Sequence, residues 1–496
     1  MRRAGSSGGD LDPLDAAIPE LQAAMADGRL RAVDLVGFHR ARIDAYDTDG
    51  PELNALITIN PRAGDQAAAL DAERAASGPR GPLHGIPVVV KDNMGTADLP
   101  TTAGAAALAG FVPSSDAFQV RRLRDAGAVV LAKTNLFEFA YGWTTESSLG
   151  GVTRNPYDLS ADPGGSSGGT AVAVTANLAV VGLGSDTCGS VRLPAARTNL
   201  YGLRPTEGLS SRAGVIPLSP TLDTVGPIAR SVVDLAIVLE ATVGVDPADP
   251  TTVPVEAAYL DAVRRDGLAG RHIGVLGRSA GAEVDAVVAE ALDEMAANGA
   301  EVVRTDGPDL SAERTVLRLI DEFPFALDDY LAAHPEAPVA SVQDVLASGL
   351  PLDDGVRARL TVPTLDTPGY REALAQRRGF RDRIVAFMDD HRLDALAYPT
   401  TARHSSTAAM GGLPALAIPA GFTRDGMPVG LDLLGRPFDE PTLIAIAAGY
   451  EAHTEHRTLP PSTPPLGGGH PDAAASDRAG AQEPDGRSRS AFDDPR

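Results

Sequence analysis

Of the 43 lysines and arginines in this chain, only two are lysines, Lys91 and Lys133. A lysine can act as a base once it is neutral, whereas an arginine stays charged up to a pKa above ~12. Proton transfer that needs an amine must therefore use one of these two. Serines that could serve as nucleophiles collect in two small-residue clusters. One is Gly164-Gly165-Ser166-Ser167-Gly168-Gly169; the other is Gly184-Ser185-Asp186-Thr187-Cys188-Gly189-Ser190-Val191-Arg192. The second cluster follows an apolar run. A strand running into such a turn can expose successive backbone N–H groups on one side, which suits an oxyanion hole with Ser190 beside it.

Several familiar arrangements fail on inspection. A Ser-x-x-Lys motif needs serine three residues before lysine, where this chain has Val88 and Val130. Gly127 to Thr134 nearly matches a phosphate-binding loop, but its interior is a β-branched strand whose amides belong to neighbouring strands, so Lys133 reads as structural. Gly164 to Gly168 satisfies G-x-S-x-G, yet a turn-rich loop, Asn155 to Pro163, precedes it instead of the strand a nucleophile elbow requires. His453 and His456 share a helix face without a further ligand cluster and read as solvated, so no metal is expected.

The elements that would position these groups alternate. Residues 14–46 read as a helix. Ile86 to Val90 and Ala128 to Ala132 read as buried strands, with a helix over 118–126 between them. Thr170 to Asn177 reads as a buried helix and Ala179 to Leu183 as the next strand. From 257 to 390 the pattern is mainly helical, with a strand at His272 to Leu276. Strand patterns return at 395–398, 415–418 and 429–434, before a last helix from Glu440 to Glu451. The alternation predicts an α/β fold around a largely buried sheet. Residues 1–13 are expected to be a flexible N-terminus and 465–496 a disordered tail.

Composition excludes other classes. A net charge of −23 opposes a phosphate backbone, so no nucleic-acid partner is expected. The longest apolar run, Ala171 to Leu183, falls short of the ~20 residues of a membrane helix, so no membrane role is expected. The single cysteine, Cys188, suits a reducing compartment. No apolar run follows Met1-Arg2-Arg3, so no secretory signal is expected and a cytoplasmic location is.

Taken together the motifs are more specific than any one of them. Pro82-Leu-His-Gly-Ile-Pro-Val-Val-Val-Lys91-Asp-Asn93, Thr101 to Gly104, the two serine clusters, Gly202-Leu-Arg-Pro-Thr206 and Asp223 to Pro227 occur in order. Gly412 to Gly421, Pro428 to Leu431 and Gly435 to Glu440 follow them. In this pattern the chain resembles the amidase signature hydrolases, from about residue 14 to 460.

The resemblance implies a central mixed β-sheet flanked by helices in one amidase domain over 14–464, with 257–390 shaping the acyl pocket. It implies a Ser–cis-Ser–Lys triad in which Ser190 matches the nucleophile, Ser166 the bridging serine on a cis peptide and Lys91 the general base. The matched oxyanion hole is the backbone of Thr187, Cys188, Gly189 and Ser190. Ser167, Asp186 and Arg192 match supporting positions. Lys91 would then have to be neutral, which burial could achieve; the competing reading is a strand-capping lysine paired with Asp92. Cys188 stands where relatives have glycine, and its thiol is a second candidate nucleophile.

The implied reaction is hydrolysis of a small-molecule carboxylic amide through an acyl-serine, with no cofactor. A homodimer stays open. Two alternatives are the glutaminase component (the A chain) of a tRNA-dependent amidotransferase and a non-catalytic binding protein on the same fold. The segment from Tyr398 to Gly412 lacks the Asp-containing stretch and Asn-Leu-Ala-Gly run expected of that glutaminase.

Overall fold

The computed structural model describes residues 11–466, apart from residue 257. Most of the N-terminal arm and of the tail expected from the sequence lies outside the described residues. Eleven strands form one mixed sheet. In chain order they are β1 (Leu56–Ile59), β2 (Pro87–Lys91), β3 (Val129–Thr134), β4 (Val181–Asp186), β5 (Tyr201–Arg204) and β6 (Thr224–Ala229). They continue as β7 (His272–Leu276), β8 (Glu301–Thr305), β9 (Ala395–Pro399), β10 (Ala415–Phe422) and β11 (Pro428–Leu434). Across the sheet the order is β1-β3-β2-β4-β6-β5-β10-β11-β9-β7-β8.

The sheet is central and buried, which explains its sequence. Val88, Val89 and Val90 form a continuous β-branched run because helices cover both faces of β2, as in other parallel regions. β2 runs parallel to β3 on one side and to β4 on the other. The residues that end β2 and β4, Lys91 and Asp186, therefore emerge at the same edge of the sheet. Carboxyl ends of neighbouring parallel strands are where open α/β sheets place their ligand crevices.

Four strands of the sheet, β1, β5, β6 and β8, escape the sequence pattern. β6 contains Gly226 and Pro227, which mark edges or bends in most strands, yet it lies inside the sheet between β4 and β5. β1 and β5 are only four residues long. The helix expected over 14–46 is two helices, Ile18–Ala26 and Ala32–Ile43, separated where Gly28 takes φ +70°. Region 257–390 is mainly helical, as expected, but also supplies β8. Its helices build a second apolar core around Phe323, Phe380 and Ile384, which joins the main body through Tyr398 and Leu396 of β9. Among the described residues no helix is long and apolar enough to cross a membrane.

Lys133 on β3 has a structural task. Fully buried, its ammonium donates to Met94 O (2.8 Å), Thr101 Oγ1 (2.7 Å), Pro100 O (3.1 Å) and Thr96 Oγ1 (3.2 Å), and lies 3.2 Å from Asp92 Oδ1. It ties down the loop that follows β2 immediately beyond Lys91. Asp92 is thus the partner of Lys133, not of Lys91, and the strand-capping reading of Lys91 falls. Lys133→Met leaves the Asp92 carboxylate buried without its cation. Denaturant titration should show a loss of about 3–5 kcal/mol of stability; a change under ~1 kcal/mol would contradict the staple.

Candidate active site

Lys91 Nζ lies 2.7 Å from Ser166 Oγ, 2.9 Å from Ser185 Oγ and 3.4 Å from Ser185 O. Asn93 Nδ2 donates to the same Ser185 hydroxyl at 3.0 Å and fixes it in place. Burial of the amine lowers its pKa from the ordinary 10.5 to about 7, against the opposing pull of the Asp186 and Asp223 carboxylates. As a neutral amine, Lys91 has two N–H groups for the Ser185 oxygens, and its lone pair is left for the Ser166 hydroxyl proton.

The shift has a consequence for stability. Between pH ~7 and ~10.5 the unfolded chain carries a proton on this amine that the folded chain lacks, so this group adds stability as pH rises through that window. Lys91→Met removes that dependence. The stability of the wild type relative to Lys91→Met should therefore increase from pH ~7 to pH ~9.5 in denaturation midpoints; a gap independent of pH would sink the assignment of a depressed pKa.

Ser166 sits on a turn made by its glycines. Gly164 has φ +81° and the Gly165–Ser166 peptide is cis. A Cβ on Gly165 would fall 1.7 Å from Thr144 O, so only glycine fits. Ser166 O accepts from Phe137 N (3.1 Å). Ser167 joins the clusters: its N–H donates to Ser190 O (3.1 Å) and its hydroxyl to Ser185 O (3.1 Å).

The buried helix Gly168–Thr175 begins directly after this turn. At its far end Arg42 donates to Ala176 O (2.8 Å), Arg230 to Val174 O (3.0 Å) and Arg457 to Thr175 O (3.1 Å). Three guanidiniums thus complement the negative end of the helix dipole, and its positive end faces the Ser166 turn.

The turn bearing Ser190 is folded around Asp186. This buried carboxylate accepts from Gly189 N (2.8 Å), Val191 N (3.2 Å), Arg204 Nη1 (3.0 Å) and Arg192 Nε (3.3 Å). Burial alone would raise its pKa, but Arg192 and Arg204 hold it well below the usual carboxylate range. Arg192 continues to Asp432 Oδ2 (2.5 Å) on β11 and to Ser405 O (2.8 Å). Thr187 Oγ1 donates to Asp223 Oδ1 (2.6 Å). Gly189 adopts φ +105°, and a Cβ there would meet Ser405 Cβ at 2.3 Å, so this position too requires glycine.

One expected oxyanion donor is removed by this geometry. Trp143 Nε1 (3.1 Å) and Ser405 Oγ (2.7 Å) donate to Cys188 O. The trans peptide that points this carbonyl at them points the Gly189 N–H the opposite way, onto Asp186. Among the described residues, no loop or side-chain acceptor takes the amides of Thr187, Cys188 or Ser190. Ser190 Oγ has no hydrogen-bond partner among the described residues.

Several groups at the site lie beyond what the sequence pattern singles out. Ser185 and Arg204 fall inside matched motifs that give them no role of their own. Asp432, a carboxylate within an apolar strand, is itself a signal, because buried charges seldom occur unpaired. Trp143 and Ser405 carry no local signal. The Cys188 thiol is placed against a nucleophilic role: it is buried in the apolar core with Phe137 and Ile216, and burial pushes its pKa up to about 12. It should resist a thiol-directed disulfide reagent in native protein at pH ~8 and react fully in denaturant; fast native labelling would contradict this. His456 pairs with Glu294 Oε2 (2.7 Å), and His453 Nδ1 contacts Gly449 O (2.7 Å). No group of three or more His, Cys, Asp or Glu among the described residues is placed to hold a metal.

Residues 38–410 match the family model described as Amidase. The chain belongs to the Amidase family. Its motifs and mixed sheet are those of the amidase signature enzymes. Native peptide amidase from Stenotrophomonas maltophilia, a solved structure, is 41% identical and superposes with a TM-score of 0.84, covering 90% of this chain and 98% of that one. The A component of the glutamyl-tRNA(Gln) amidotransferase of Deinococcus deserti is 38% identical over 450 residues, 83% of this chain and 91% of that protein. The structure of the corresponding component from Thermotoga maritima is 29% identical, with a TM-score of 0.74, covering 91% of this chain and 98% of that one.

Proposed function

We propose that this amidase cleaves a carboxylic amide C–N bond with Ser190 as nucleophile, Ser166 as proton bridge and Lys91 as base. The observation that carries the reading is a buried amine, with a pKa of about 7, 2.7 Å from the Ser166 hydroxyl. Ser190 Oγ attacks the carbonyl carbon while its proton passes to Ser166 and the Ser166 proton to Lys91. The oxyanion that forms meets the free amides of Thr187, Cys188 and Ser190. Collapse breaks the C–N bond, and the amine leaves with the proton returned from Lys91 through Ser166. Water then attacks the acyl-Ser190 ester by the same relay and releases the acid. Asp186, Arg192 and Ser167 act as positioning residues.

All of these groups come from one chain, within a single catalytic domain assigned to 14–464, and the reaction uses no cofactor. The acyl side of the substrate is assigned to region 257–390 and the 404–412 segment. Supporting this, Ser405 touches the Ser190 turn, and Thr407 Oγ1 donates to Glu313 (2.6 Å) of that region. Similarity to peptide amidase favours a peptide amide as substrate class, and the unpaired Cys188 favours a cytoplasmic setting.

A second reading, the glutaminase component of an amidotransferase, is favoured by 38% identity to the Deinococcus deserti protein. The lower TM-score to the Thermotoga maritima structure, 0.74 against 0.84, supports the stand-alone amidase. Co-purification with other amidotransferase components would reverse that preference.

Ser190→Ala should lower kcat/KM toward a peptide amide by a factor of about 10⁴ or more. Hydroxylamine should trap the acyl group as a hydroxamate in the wild type only. Ser166→Ala should cost about 10²–10⁴. In the wild type kcat/KM should rise with pH through an apparent pKa of about 7, as Lys91 loses its proton. Activity surviving Ser190→Ala excludes Ser190 as nucleophile.

A further inference from the structure

The helix Pro368–Asp390 carries Arg377, Arg378 and Arg381 on one side of a cavity of about 480 Å³, which also takes in Glu207, Leu374 and Phe438. None of these residues belongs to the Lys91–Ser166–Ser190 site. The volume lies in the range of small-molecule pockets, about 300–1,000 Å³.

The charges in this cavity do not cancel. Arg377 Nη2 (2.9 Å) and Arg381 Nη2 (3.0 Å) share the single carboxylate of Glu207. Burial opposes its ionisation, but Arg377 and Arg381 hold Glu207 below the ordinary range, so it stays an anion. Arg378 has no ion pair or hydrogen bond among the described residues, and the buried Arg377 Nε meets no acceptor. Three guanidiniums facing one carboxylate leave a local excess of positive charge in a chain whose net charge is −23.

The apolar side of the cavity is equally unusual. Phe438 is 42% exposed and Leu374 40% exposed. Phe438 adopts φ +61°, a left-handed conformation that bulky residues seldom take. Its amide donates to Thr206 Oγ1 (2.8 Å), and Thr206 is fastened by its own N–H (2.7 Å) and hydroxyl (2.6 Å) to the buried Glu440. A built hydrogen-bond chain thus holds an aromatic ring out in solvent beside the unpaired Arg378.

We propose that this cavity binds a small carboxylate with an aromatic body, at a site separate from the catalytic serine. The carboxylate fits the guanidinium fork of Arg378, with the neighbouring Arg377 and Arg381 adding positive charge, and the ring lies against Phe438 and Leu374.

Calorimetric titration of full-length Ser190→Ala protein at low salt tests this without reference to hydrolysis. Benzoate should bind saturably and at least about tenfold more tightly than acetate or inorganic phosphate. Arg378→Glu, and separately Arg378→Gln, should each weaken benzoate about tenfold or more with the melting temperature unchanged, because a charge-assisted contact is lost. Phe438→Ala should bring benzoate down to the level of acetate. Absence of saturable benzoate binding overturns the proposal. So does binding that keeps its affinity and stoichiometry in Arg378→Gln, which would lie elsewhere. Phosphate binding as tightly as benzoate would make this a general anion site and would also overturn it.

Discussion

The buried carboxylate of Asp186 organises this site. It ends β4, and its two oxygens hold the turn that follows by the amides of Gly189 and Val191. Arg204 on β5 and Arg192 neutralise it, and Arg192 carries the network to Asp432 on β11. Elements far apart in sequence are thereby locked to one turn. Such a network is costly to desolvate and costly to break, since loss of one partner strands a buried charge at a cost of about 3–5 kcal/mol. Its benefit is positional: the Ser190 turn has its direction set by groups that cannot move independently.

The same burial tunes the base. Lys91 is enclosed by the sheet and by serines, and the carboxylates whose charge pulls on it, Asp186 and Asp223, are occupied by other donors. Desolvation therefore outweighs their attraction and the amine sits near neutrality. Lys133 shows the contrast within one protein. It is equally buried, yet it faces Asp92 and four oxygen acceptors, a setting that uses the ammonium as a structural staple. Burial lowers the pKa of both amines, but at Lys133 the Asp92 carboxylate opposes that shift from 3.2 Å, whereas Lys91 has hydroxyls at that range.

Much of the fold is legible in the sequence because its strands are buried on both faces. Continuous apolar runs mark β2, β3, β7, β9, β10 and β11 within a few residues. Where packing overrides local preference the pattern fails, as at Gly226-Pro227 inside β6 and in the four-residue β1 and β5. The break at Gly28 is present in the sequence, but the apolar stripe continues across it and hides it. Exposed Phe438 at positive φ has no local signal at all, since its conformation is imposed by Thr206 and Glu440.

At the site, the sequence by itself determined which groups are available: two lysines, two serine clusters and the glycines that flank their serines. What makes glycine obligatory there comes from across the fold, Thr144 O at Gly165 and Ser405 Cβ at Gly189. The tertiary structure decided the buried environment of the Lys91 amine beside Ser166, that Asp92 serves Lys133, and that the Gly189 amide belongs to Asp186. Each of these depends on burial and on partners brought from distant strands. A pKa and a hydrogen-bond direction are properties of an environment, and spacing along the chain does not encode them.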